Sequence, residues 1–182
     1  MPAFQTTAPL SLVQGSKSLD REVVLEPNGD VLRFGMHGGV AEHYKATARD
    51  PQPSTLDYLA ASIGGCLIGT FAGSLLRARV PVVPAEALTG TATGFVEPDE
   101  DGVLVLRRVV VSYTLELDEE HRAAAEEVHA VHAGRCPNAR SVSPSIEIVT
   151  ELEINSPVAA YPRSPATARR TNRRRAVRRT SV

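Results

Sequence analysis

The chain has 182 residues, 42% of them hydrophobic and 23% charged, a length and balance that suit one soluble domain with a real core. Aromatic residues make up 4% and tryptophan is absent, which argues against a base-stacking platform for single-stranded nucleic acid. The formal charge of −1 hides an asymmetry: all 21 acidic residues but only 12 of the 20 Lys and Arg precede Pro162, leaving residues 1–161 at −9 against +8 for residues 162–182.

Residues 1–20 hold no basic stretch followed by a long apolar run, so no secretory signal is read there. They are taken as an N-terminal extension, and the chain is expected in the cytoplasm. Residues 21–50 read as strands around turns. Within them, Pro27-Asn28-Gly29-Asp30 contains the Asn-Gly pair that supplies the positive φ angles of a tight hairpin. Gly38-Gly39 is too short a glycine pair for a phosphate loop. Pro51 and Pro53 close the section. Ser54-Thr55-Leu56-Asp57 then fits the Ser/Thr-x-x-acid start of a helix, which should run to about Arg79 and stop before Pro81.

Inside that helix, Leu59 to Leu76 is an 18-residue stretch without a charge, at the lower limit for a membrane span. Glycines, serines and a threonine dilute it and amphipathic strands follow, so it reads as a buried central helix and no membrane is implied. Leu88–Val96 and Val103–Leu117 read as two strands joined by a polar turn. In the second, Val109, Val111, Tyr113, Leu115 and Leu117 alternate with mostly polar neighbours, the period-2 pattern of a half-buried strand. Asp118 should cap a second helix through about Ala133, with Gly134 as its stop. Ser145–Ile154 alternates again. The order is β-rich, long helix, two strands, helix, strand: an α+β domain over residues 21–155. Residues 156–182 are expected to be a disordered Arg-rich tail, either a solvated extension or an electrostatic contact with polyanions.

Chemistry concentrates on two cysteines. Cys66 shares a helix side with Leu59, Ile63 and Thr70, where a cysteine is ordinarily an inert core residue. Cys136 precedes Pro137, and proline favours the first turn of a helix. That would put Cys136 at a helix N-terminus with Arg135 and Arg140 nearby, where dipole and charge favour thiolate. Gly65, Gly69 and Gly73 recur on one stripe, each costing about 1 kcal/mol in a helix. The compensating gain is close approach of a backbone, either a second subunit's helix or the chain's own sheet. His129, His132 and Cys136, completed by Cys66, raise a tetrahedral metal site as a rival, but Gly134 and Pro137 interrupt the helix that would align them, so no metal or other cofactor is expected.

Asp57-Tyr-Leu-Ala-Ala-Ser-Ile-Gly-Gly-Cys66, followed by Gly-Arg-Cys136-Pro-Asn-Ala-Arg140, resembles the two signatures of the OsmC/Ohr family: an acid-x-Leu-x-Ala-Ala-x-Gly-x-Cys helix and a Cys-Pro-x-x-Lys/Arg motif ahead of the last strand. The resemblance implies an OsmC-like fold, a long central helix packed on antiparallel sheets in an intertwined homodimer. It implies a thiol peroxidase that reduces organic hydroperoxides, and hydrogen peroxide as a further substrate. Cys66 would be the attacking cysteine and Cys136 the resolving one, with an external dithiol as reductant. It further implies an arginine from the N-terminal strands that stabilises the thiolate, aligned by an acid. Arg33 is the first choice, with Arg21 and Arg49 beside it. The glutamate position of the hydroperoxide reductases, ten before the cysteine, is Leu56. Asp57 matches the acid of other members, although at about 100° per residue it points about 180° from Cys66 and serves equally as a cap. Leu56 keeps a second reading open, an OsmC-like protein that binds small molecules or is structural without efficient peroxidase activity.

Overall fold

The computed structural model describes residues 6–15, 20–25, 28–46, 51–82 and 84–156; Pro27, Arg49 and the Arg-rich tail from residue 157 lie outside these. The first sheet is an antiparallel meander of β1 (Leu10–Leu12), β2 (Arg21–Leu25) and β3 (Asp30–Phe34). The hairpin between β2 and β3 closes at the pair Leu25–Asp30, with Gly29 in the left-handed region at φ 74° and Asn28 outside it, so only one of the two positive φ angles expected of the Asn-Gly pair is realised. Strand β1 falls in the stretch set apart as an extension; Leu10 pairs with Val23 and Leu12 with Arg21. A short helix, α1 (Gly38–His43), follows where the sequence suggested only strands and turns.

The long helix α2 (Thr55–Arg77) starts where the capping signal placed it. Ser54 Oγ accepts from the Asp57 amide at 3.2 Å, and Asp57 Oδ2 accepts from the Ser54 amide at 2.6 Å. Two of the helix's otherwise unpaired groups are thereby satisfied. By length and composition α2 is long and apolar enough to cross a membrane. In the fold its stripe of Ala60, Ile63, Gly64, Leu67, Phe71 and Leu75 is buried, in one core with the strands that follow.

Those strands are β4 (Leu88–Pro98), β5 (Leu104–Glu116) and β6 (Glu147–Asn155), with β5 in the centre of the second sheet. The alternation in β5 is realised: Val109, Val111, Tyr113 and Leu115 all face the core, and Leu117 continues the row. Strands β4 and β5 are antiparallel and β5 and β6 run parallel, so the sheets are mostly antiparallel, as expected, with one parallel pair. A parallel neighbour needs a crossover of about a dozen residues or more. Helix α3 (Arg122–His132), the 3₁₀ turn Ala133–Arg135 and helix α4 (Pro137–Val142) provide it. Helix α3 ends at His132, within a residue of the end expected at Ala133, and Gly134 itself lies in the 3₁₀ turn that leads to Cys136.

The glycines of α2 divide by face. A Cβ on Gly64 would stand 2.6 Å from Ala92 Cβ, and one on Gly94 of β4 would stand 3.1 Å from Ala60 Cβ, so these residues let helix and sheet approach closely. A Cβ on Gly65, Gly69 or Gly73 would meet nothing within 4 Å among the described residues. The glycine stripe therefore does not pack on the chain's own sheet; it faces outward.

Candidate active site

Helix α2 carries Cys66 half-buried against the core, and the chain leaving α3 brings Cys136 to it. Both are free thiols. Cys136 is fully buried at 0% exposure. As expected from Pro137, it is the N-cap of α4, and its sulfur accepts from the Ala139 amide at 3.5 Å. The same thiol donates to Cys66 Sγ at 3.1 Å. A disulfide has its sulfurs about 2.05 Å apart, so the pair is about 1 Å from bonding distance. Residues 70 positions apart in sequence thus form one dithiol site.

The electrostatics of Cys136 differ from the sequence expectation. Burial pushes its thiol up, and the neighbouring Cys66 pushes it further. The Ala139 amide and the Thr70 hydroxyl pull the other way without cancelling the rise. Arg135 and Arg140 are both exposed, so their charge is screened by water. Helix α4 has only six residues and a correspondingly small dipole. Desolvation wins, and Cys136 is held as a thiol.

Behind the dithiol lies a buried aromatic and imidazole cluster. Phe71 packs against Tyr113 and His132 with ring centroids 5.0 and 4.9 Å apart. His132 Nδ1 donates to the His129 carbonyl at 2.7 Å, which leaves Nε2 to accept from the Tyr113 hydroxyl at 3.1 Å. Burial raises the Tyr113 hydroxyl well above the ordinary phenol range, with the nearby Cys136 adding to the rise. Burial lowers both His129 and His132, so both favour the neutral form. Both ring nitrogens of His132 are engaged within the protein, and among the described residues no three metal-type ligands come together.

The proposed partners of the thiolate lie elsewhere in the single chain. Arg33, on β3, forms an ion pair with Glu22 of β2 at 2.8 Å, and its side chain is 65% exposed. Arg21, on β2, is half-buried; one guanidinium nitrogen reaches the Gly35 carbonyl at 3.5 Å, and its buried Nε has no hydrogen-bond partner among the described residues. The Asp57 carboxylate is committed to Ser54 and to His37, whose Nε2 lies 2.8 Å away. Burial alone would raise this carboxyl, but the hydrogen bonds from Ser54 and His37 hold it below the ordinary range. Leu56 is half-buried against the core. Sequence reasoning did not find Asn138, which ties α4 to α2 through Ser62, nor the Tyr113–His132 pair. Both are long-range contacts with no local spacing to announce them.

The fold and this site define an α+β protein that brings two cysteines together at the junction of its central helix and a short crossover helix. A family model described as OsmC-like protein matches residues 48–151. The chain belongs to the OsmC-like protein family, and both cysteines lie within the matched segment. An OsmC-like protein of unknown function from Vibrio cholerae aligns with a TM-score of 0.65 at 16% identity, over 83% of this chain and 100% of that one. The organic hydroperoxide resistance protein OhrB of Bacillus subtilis aligns with a TM-score of 0.55 at 16% identity, over 81% and 98%. An organic hydroperoxide resistance protein OsmC from Legionella pneumophila gives 0.60 at 11% identity, over 82% and 98%. At such identities the likeness is one of fold. No curated protein matches the chain.

Proposed function

We propose that this chain is a thiol-dependent peroxidase of organic hydroperoxides, acting through a Cys66 sulfenic acid that Cys136 resolves. The observation that carries the reading is the 3.1 Å contact between two free thiols of unequal burial. Cys66 is the more accessible and would meet substrate; Cys136 is enclosed and held protonated, which suits a thiol that reacts only with its neighbour. The Cys66 thiolate attacks a peroxide oxygen, the O–O bond breaks, and the alcohol leaves with a proton. The sulfur of Cys136 then attacks the sulfenic sulfur, forming the disulfide while hydroxide departs with the thiol proton as water. An external dithiol reduces the disulfide and is itself oxidised. The use of hydrogen peroxide, and a place in the cytoplasm, belong to the same proposal.

The reading includes a homodimer. The outward glycine stripe of α2 is a surface on which a second helix could lie close. Leu10 and Leu12 of the first sheet are 76% and 66% exposed, apolar area of the kind that marks an interaction surface. A partner's first sheet would then bring an arginine, Arg33 or Arg21, toward Cys66, where a positive charge favours thiolate. Leu56 in the core and Asp57 in the cap favour the second reading, a binding or structural protein, because neither supplies a carboxylate beside the thiols.

Intact-mass measurement after a small excess of cumene hydroperoxide separates the two. The peroxidase loses about two mass units as the disulfide forms. Cys66→Ser shows no reaction, and Cys136→Ser keeps a sulfenic acid on Cys66 that dimedone traps. An unchanged wild-type mass favours the binding protein.

A further inference from the structure

Helix α4 is too short to hold its own position. Isolated helices are marginal in water even at about 12–15 residues, and α4 has six. Its place is set by contacts with its surroundings: Ala139 is buried and Val142 half-buried against the core. Beyond the Cys136 cap, whose thiol meets Cys66, a side chain within α4 also ties it to α2. Asn138 Nδ2 donates to the Ser62 carbonyl at 3.0 Å and to Ser62 Oγ at 3.0 Å. Both amide hydrogens are thus used. The orientation of the amide is not open to a flip, because a carbonyl oxygen can only accept and must face nitrogen.

The position of the tie matters more than its strength. Asn138 stands two residues after Cys136, and Ser62 stands one turn before Cys66. In a regular helix the Ser62 carbonyl also receives the Cys66 amide. One side chain therefore links the backbone beside the resolving cysteine to the carbonyl that anchors the attacking one. With both backbones held, the sulfurs are left about 1 Å short of disulfide distance.

Resting on the peroxidase reading for its role in turnover, we propose that Asn138 is a positioning residue that sets the Cys66–Cys136 separation, and so the rate and equilibrium of disulfide formation. A misplacement of about 1 Å can cost about a hundredfold in rate, so even partial loosening of α4 should be measurable. Ser62 shares the role through its hydroxyl, but its carbonyl remains when the hydroxyl is removed.

The test uses the full chain and two kinds of oxidation. In a glutathione redox buffer the dithiol is oxidised to its disulfide while oxidised glutathione is reduced, and no peroxide chemistry is needed. Asn138→Ala should lower the equilibrium constant for the disulfide about tenfold, which is about 30 mV for a two-electron couple, and Ser62→Ala about twofold. In a single turnover with cumene hydroperoxide, Asn138→Ala should slow disulfide formation about tenfold while Cys66 sulfenic acid forms at the wild-type rate, so that dimedone labelling of Cys66 rises. Wild-type values for Asn138→Ala in both assays overturn the proposal. So does an equal fall in sulfenic acid and disulfide formation, since that marks general damage to the site. If the wild type forms its disulfide in glutathione but not with peroxide, the peroxidase reading fails, and the glutathione equilibrium of Asn138→Ala still decides the role of Asn138.

Discussion

At Cys136, burial and the Cys66 thiol raise the proton affinity, and the Ala139 amide and Thr70 hydroxyl lower it without prevailing. The nucleophile in thiol chemistry is the thiolate, so a raised value leaves little of it at neutral pH. Disulfide formation from the Cys66 sulfenic acid should therefore keep accelerating as pH rises to and beyond the ordinary thiol value. Quenched-flow alkylation at a series of pH values measures this. A rate that levels off at neutral pH would show a low-affinity thiol, as the sequence suggested from Pro137, Arg135 and Arg140. That local reading placed Cys136 at a helix cap correctly, but it could not weigh the cost of burial. Desolvation depends on what packs over the sulfur, and the residues that do so include Thr70 and Cys66 from another helix.

Helix α3 and strand β5 meet in the cluster of Tyr113, His129 and His132, and its polar groups are only partly satisfied. His132 uses both ring nitrogens, whereas the buried His129 Nε2 has no hydrogen-bond partner among the described residues. Tyr113→Phe would strand His132 Nε2 in the core, a loss of about 1–3 kcal/mol that urea unfolding would register. Both histidines have folded-state values below their unfolded value. The unfolded chain then binds more protons just below about pH 6.5, so stability is full above that point and falls as pH drops through the window beneath it. His129→Phe keeps the ring contacts and removes one of the two titrating groups. Its melting temperature should fall less between about pH 7 and pH 5 than that of the wild type, and an unchanged slope would put the acid sensitivity elsewhere. The strand itself was legible: the alternation of Val109, Val111, Tyr113 and Leu115 marked their common face. The partner of the Tyr113 hydroxyl was not, because an imidazole from α3 reaches it only after the crossover is folded.

For the whole molecule, the two sheets differ in how far the single chain covers them. The second has the buried stripe of α2 in its core, whereas the first leaves Leu10, Leu12 and Val31 exposed. Together with the open glycine stripe, this supports the proposed dimer. Gly69→Leu adds a bulky side chain where a Cβ meets nothing within 4 Å among the described residues, so it should leave the fold of the single chain intact. Between two closely packed helices it would instead cost about 1–3 kcal/mol or more. Light scattering should report a dimer for the wild type and a shift toward monomer for the variant, with unchanged circular dichroism. A monomeric wild type would remove the interface and the delivery of an arginine from a partner.

The sequence by itself determined the elements whose signals are local: the Ser54–Asp57 cap, the inward row of β5, the Asn28-Gly29 hairpin and the N-cap position of Cys136. These depend on hydrogen bonds and side-chain periods within a few residues. The tertiary structure decided the rest. It paired β6 parallel to β5, brought β1 to β2, turned Gly64 toward Ala92 and Gly65 away, and set Asn138 on Ser62. It also reversed the expected electrostatics of Cys136, because a pKa is governed by the dielectric and the dipoles around a group. Those surroundings come from residues far apart in the chain.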